Sequence, residues 1–240
     1  LAPNSWDGQW MNRQQILSRL ASDHEVLYST GAWSVWDRTS AAFRAAPLRG
    51  SFERRDGVLV DRPPRWLLRW PTTASYDSAV LRLVQRRWRR QLARMGDGPV
   101  VAYLFHPRYL QFITHLGADH VIYQPYDLFS HMPGWTLELA HLEARLLETC
   151  DAVIATSEPT RAALQETSPL PVHCVPNGVD GELFLAAAVE HGAAALPGIP
   201  RPRIGYVGSL NRTVDLPLIV DLARREPGWH APAVVDVGRD

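Results

Sequence analysis

The sequence predicts a doubly wound α/β protein of two lobes, the second incomplete within these 240 residues. Three observations predict it. Four short apolar runs, Pro99 to Phe105, His120 to Tyr123, Asp151 to Ala155 and Val172 to Val175, alternate with helical segments, the pattern of a mainly parallel sheet covered on both faces. Between Tyr76 and Met95, the residues Leu81, Val84, Trp88, Leu92 and Met95 recur at helical spacing. An alanine- and proline-rich stretch from Ala186 to Pro202 then precedes a second strand-turn-helix pattern, so residues 1–185 are expected as a first lobe, 186–202 as a linker and 203–240 as the beginning of a second lobe.

Composition sets bounds on function. With 46% hydrophobic residues the chain can bury a real core. Its 25 basic residues, all arginine, balance 25 acidic ones, so no global field attracts nucleic acid and no such partner is expected. Cys150 and Cys174 lie beside apolar runs and make neither a disulfide framework nor a zinc site; reduced, buried thiols are expected. No apolar run is long enough to span a membrane and no signal peptide is recognised, so a cytoplasmic location is expected.

In chain order, Leu1-Ala2-Pro3 has the look of a strand's last residues, its beginning lying outside the sequence. Asn4 to Asn12 is a turn-rich loop in which Gly8 either lets the backbone approach a phosphate or serves only the turn. A helix with Ile16, Leu17 and Leu20 on its apolar face follows, then a strand from Glu25 to Thr30. Within residues 31–75, Val58-Leu59-Val60 and Trp66-Leu67-Leu68 suggest short strands. The helix from Tyr76 to Met95 sets Arg82, Arg86, Arg87, Arg89, Arg90 and Arg94 opposite its apolar stripe. That is either the solvated face of a crossover helix or a peripheral contact with anionic lipid headgroups.

Right-handed crossovers place the loops after the four strands on one rim, gathering His106, Gln124 to Asp127, Thr156 to Glu158 and Asn177 to Asp180. Pro107 and Pro125 stop their strands there. Beyond the linker, Arg203 to Val207 and Ala233 to Val237 read as strands around a helix from Asp215 to Glu226.

The run Pro176-Asn177-Gly178-Val179-Asp180, followed by Ile204-Gly205-Tyr206-Val207-Gly208-Ser209 and Val214-Asp215-Leu216, resembles the interdomain crossing of a GT-B glycosyltransferase of the retaining, GT4-like type. Glu143 to Ser157 resembles the helix, strand and serine turn before that crossing, and Leu104-Phe105-His106-Pro107 an earlier strand end. The resemblance covers residues 99–238 well and the first hundred weakly. It implies two Rossmann-like lobes, a first that receives the acceptor and a second that binds the donor, completed in the family by an acidic motif that this sequence lacks. The implied activity is transfer of a sugar from a nucleoside-diphosphate sugar to a carbohydrate or lipid-linked acceptor, with retention and with no cofactor beyond the donor substrate. One departure concerns the donor sugar: where many retaining members have a histidine after the strand at His120 to Tyr123, this chain reads Gln124-Pro125-Tyr126-Asp127.

The chemistry requires that charge growing on the leaving diphosphate be stabilised by a metal or by backbone amides with basic side chains. No two aspartates are two residues apart, so the Asp-x-Asp clamp of metal-dependent enzymes is absent and no metal is expected. Gly208, Ser209, Asn211 and Arg212 lie in a strand-to-helix loop able to offer amides and a guanidinium to an anion, and the resemblance assigns that loop the diphosphate; the alternative is a plain turn. His106 either contacts donor or acceptor hydroxyls or is a packed, hydrogen-bonded residue. Asp127 either receives hydroxyl protons from the ligand or caps its own loop. Asn177 and Asp180 suit the turn at the crossing, and Glu143 a helix face. Two rivals stand beside the transferase: a nucleotide-sugar epimerase of similar architecture, and a non-catalytic sugar-nucleotide-binding or scaffold protein.

Overall fold

The computed structural model describes residues 1–191, 202, 206–207, 214–229 and 234–235, in two compact units, Leu1–Gly178 and Val179–Asp240. In the first unit β1 (Leu27–Tyr28), β2 (Ser51–Arg55) and β3 (Val58–Arg62) lie in the order β1-β3-β2, with β3 parallel to β1 and antiparallel to β2. The strands β4 (Val101–Leu104), β5 (His120–Tyr123), β6 (Ala152–Ala155) and β7 (Val172–Cys174) form a second, wholly parallel sheet in sequence order. The four apolar runs are therefore the four parallel strands.

Leu1 and Ala2 join the two sheets. The Leu1 nitrogen donates to Tyr103 O at 2.6 Å and Phe105 N donates to Leu1 O at 3.1 Å, the alternation of a parallel bridge, while Ala2 N donates to Ser29 O at 3.2 Å beyond β1. The opening residues thus act as the strand end their sequence suggests. With them, the strand order runs outward in both directions from Leu1–Ala2, through β1 and β3 on one side and β4 to β7 on the other.

Helices α1 (Asn12–Leu20), α2 (Ala41–Ala45), α3 (Ala74–Met95), α4 (Leu110–Ile113), α5 (Leu137–Thr149) and α6 (Glu158–Gln165) complete the unit. Because side chains alternate along a strand, Tyr28, Val58, Val60 and Phe105 pack on one face with Trp6 and Leu17. Ala102, Leu104, Val121, Tyr123, Val153 and Val172 pack on the other with α3, α4 and α5. Leu104, Leu146 and Val153 are wholly enclosed, each contributing about 1.5–3 kcal/mol. The crossover helix α3 is pinned to β3 through buried Asp61, which accepts from Trp88 Nε1 and Ser29 Oγ, each at 2.7 Å, and pairs with Arg87. Thr136 and Ser157 cap α5 and α6 by accepting from Leu139 N and Thr160 N.

Two expectations change and one strand is new. The buried face of α1 is Arg13, Gln14 and Leu17, while Leu20 is exposed; Arg13 and Gln14 are held by the loop before the helix, donating to Asn4 Oδ1 and to Ser5 O and Gln9 O. Trp66-Leu67-Leu68 is a turn beside an isolated Ser34–Arg69 bridge; the preceding prolines Pro63 and Pro64 remove ladder donors. β2 was not foreseen at all, and it pairs with β3 through the two-residue turn Asp56-Gly57, both at positive φ (50° and 80°).

In the second unit, α7 (Gly181–His191) covers residues 186–191, which the sequence placed in a linker. Asp180 Oδ1 accepts from Leu183 N at 3.2 Å at its start, and its alanines favour helix. The strands β8 (Tyr206–Val207) and β9 (Val234–Val235) are parallel, and α8 (Leu216–Arg225) lies between them in sequence, capped by Asp215.

Candidate functional site

The point where strand order reverses, between Leu1–Ala2 and β4, is where an open parallel sheet leaves a crevice outside its carboxyl ends. Two segments leave the sheet on either side of it. The loop of residues 3–11 leads into α1, and His106 follows β4 and begins the 3₁₀ turn Pro107–Tyr109.

His106 is 8% exposed, and its ring lies 4.6 Å from that of Phe129. Its Nδ1 accepts from Arg108 N at 3.2 Å, which puts the proton of the neutral ring on Nε2. Burial, helped by the neighbouring charges of Arg108 and Arg13, lowers its pKa from 6.5 to about 4. The imidazole is accordingly neutral near pH 7, and Nε2–H has no protein partner among the described residues. A neutral ring held this way can donate one hydrogen bond to a ligand oxygen.

Beside it lies a cluster not foreseen in the sequence. Arg13, 1% exposed, donates to Asn4 Oδ1 and stacks on the Tyr126 ring at 4.1 Å. Its Nε and Nη1 are buried without partners. Tyr126 in turn meets Phe129 edge-on at 4.9 Å, so Arg13, Tyr126, Phe129 and His106 form one continuous wall. An arginine in the first turn of an otherwise apolar-faced helix is the sequence signal that could have revealed it. Two unsatisfied guanidinium donors favour an oxygen-rich or anionic neighbour.

The remaining candidates take separate places. Asp127 is exposed, and its Oδ1 accepts from Leu128 N at 2.9 Å, the contact of a loop cap. Gln124 is buried and accepts from Tyr103 Oη at 2.6 Å, so the position after β5 is held inside the fold. Glu143 accepts from Tyr123 Oη, tying α5 to β5, and burial raises its pKa. Asn177 meets the start of α1: its Oδ1 accepts from Asn12 Nδ2 at 3.1 Å. Gly8 is exposed at ordinary backbone angles, and a Cβ there would meet Ser5 O at 3.4 Å, so its turn tolerates a side chain. Asp180 belongs to the second unit as the cap of α7. Gly208, Ser209, Asn211 and Arg212 lie outside the described residues. Among the described residues, no group of three or more His, Cys, Asp or Glu is placed to hold a metal ion.

A parallel sheet flanked by helices, with strand order reversing at Leu1–Ala2, defines a doubly wound α/β protein. Residues 41–183 match the family described as Glycosyltransferase Family 4, more than half of the chain, and the chain belongs to that family. The fold is accordingly GT-B-like and the function glycosyltransferase-like. Among curated proteins, none matches the chain.

Proposed function

We propose that the protein transfers a sugar from a nucleoside-diphosphate sugar to a saccharide or lipid-linked acceptor, with retention at the anomeric carbon and without a metal, in the cytoplasm. The observation that carries this is the neutral, buried His106 at the switch point of a family 4 domain, its Nε2–H free to donate to a sugar hydroxyl. Such a bond orients the sugar without adding charge. Arg13, beneath Tyr126, supplies positive potential to the same wall and favours a ligand rich in oxygen. Asp127, exposed on the neighbouring loop, receives the proton of the incoming acceptor hydroxyl through the carboxylate oxygen that does not cap Leu128. The leaving diphosphate is assigned to Gly208, Ser209, Asn211 and Arg212, whose amides and guanidinium stabilise its growing charge in place of a metal; the absence of any Asp-x-Asp supports that division of labour.

A thermal-shift screen of the full-length protein against nucleoside diphosphates and their sugars tests the proposal. One nucleotide series should raise the melting temperature selectively, since a ligand at 100 times its Kd stabilises by about 2.7 kcal/mol. No shift with any nucleoside diphosphate or its sugar would contradict donor binding.

A further inference from the structure

The outer face of α3 has no role in the site above. Arg82, Arg86, Arg89, Arg90 and Arg94 are exposed on it and form no ion pair among the described residues. Arg87, by contrast, is drawn inward to Asp61. Arg82, Arg86, Arg90 and Arg94 follow one another at four-residue intervals, so like charges repel along the helix with no internal compensation. The apolar stripe of α3 is already spent on the core, through Val80, Leu81, Val84 and Trp88.

Two hollows open on this face and share Arg86. One, of about 260 Å³, is walled by Arg82, Arg86, Arg89 and His115. The other, of about 350 Å³, is walled by Phe52, Trp66 and Leu83 and edged by Arg86, Arg90 and Arg94. Trp66 is 60% exposed and Leu83 44%, and Trp70 nearby in sequence is 49% exposed. An all-basic hollow beside an apolar one matches an amphiphile with an anionic head.

We propose that this face docks on an anionic phospholipid bilayer, with a headgroup phosphate in the basic hollow and the glycerol and upper acyl region against Phe52, Trp66 and Leu83. Net charge over the chain is zero, so the attraction is local to this face. Aliphatic Leu83 within the apolar wall suits acyl chains better than the stacking of nucleobases, which sets a bilayer ahead of a nucleic acid. No described helix is long and apolar enough to cross a membrane, and docking here needs only the surface.

The test uses the full-length protein with no sugar donor present, so its outcome is independent of glycosyl transfer. Co-sedimentation is measured with phosphatidylglycerol–phosphatidylcholine vesicles and with pure phosphatidylcholine. Binding should require the anionic lipid and fall steeply with salt. At roughly fivefold per arginine, the triple variant Arg86→Gln/Arg90→Gln/Arg94→Gln should bind about a hundredfold more weakly, with its melting temperature retained because these side chains have no internal partners. Trp66→Phe should reduce the blue shift of tryptophan fluorescence on vesicle binding. Equal binding to neutral vesicles, no binding, or unchanged binding by the triple variant would overturn the proposal. So would tighter binding of a single-stranded oligonucleotide that displaces the vesicles, or saturation by millimolar inorganic phosphate that leaves vesicle binding intact.

Discussion

Replacing His106 with asparagine should remove a defined component of the protein's acid sensitivity. In the folded chain burial holds the imidazole pKa at about 4, against 6.5 when exposed. Between those values the unfolded chain binds more protons than the folded one, so stability is complete above about pH 6.5 and is lost as pH falls toward 4. The full difference corresponds to about 3 kcal/mol, of which about 2 kcal/mol is spent between pH 7.5 and pH 5. Asparagine keeps a side-chain oxygen able to cap Arg108 N, the bond that Nδ1 now accepts at 3.2 Å, while removing the titrating ring. Urea unfolding of both proteins from pH 5 to pH 7.5 isolates the effect, since Glu143 and every other titrating group remain in each. The wild type should lose about 2 kcal/mol more than the variant over that range. Parallel pH dependences would show that His106 is not held neutral, and its assigned role as a neutral donor would fall with that.

Other substitutions test neighbouring steps. Asp61→Asn removes the buried charge that faces Arg87 and should cost about 3–5 kcal/mol, or roughly 10 °C in Tm; a loss below 1 kcal/mol would mean that the pair does not pin α3 to β3. Asp127→Asn keeps an oxygen for Leu128 N, so Tm should hold while turnover falls roughly 10²-fold; full activity would return Asp127 to a loop cap. Arg212→Ala should weaken nucleoside diphosphate binding by about 1.5–3 kcal/mol in calorimetry, and unchanged affinity would leave that loop a turn.

The parallel sheet was legible because each strand is a short, mostly apolar run whose alternate residues are buried, and the first two end in polar residues and proline at His106-Pro107 and Gln124-Pro125. The opening strand end was legible in only three residues because Leu1-Ala2 is followed at once by Pro3 and a turn-rich loop. β2 was not, since Ser-Phe-Glu-Arg-Arg has a single strong apolar residue. The Asp56-Gly57 pair that turns it back on β3 was the available signal. At the site, His106 and the loop after β5 follow from strand ends, but burial decides their chemistry. Sequence left His106 open between ligand contact and packing, and the structure makes it neutral with one free donor. Arg13 escaped notice because a charged residue early in an amphipathic helix ordinarily faces water, whereas here Tyr126 covers it.

The most direct test of the central claim follows radiolabelled sugar from the nucleoside-diphosphate sugar selected by thermal shift, with the full-length protein and a mixed saccharide and lipid extract as acceptor. Label should pass into an acceptor product in step with release of the nucleoside diphosphate, and His106→Ala should slow that transfer. A labelled sugar that stays on its nucleotide with every acceptor, or that changes configuration there when no acceptor is present, would contradict glycosyl transfer.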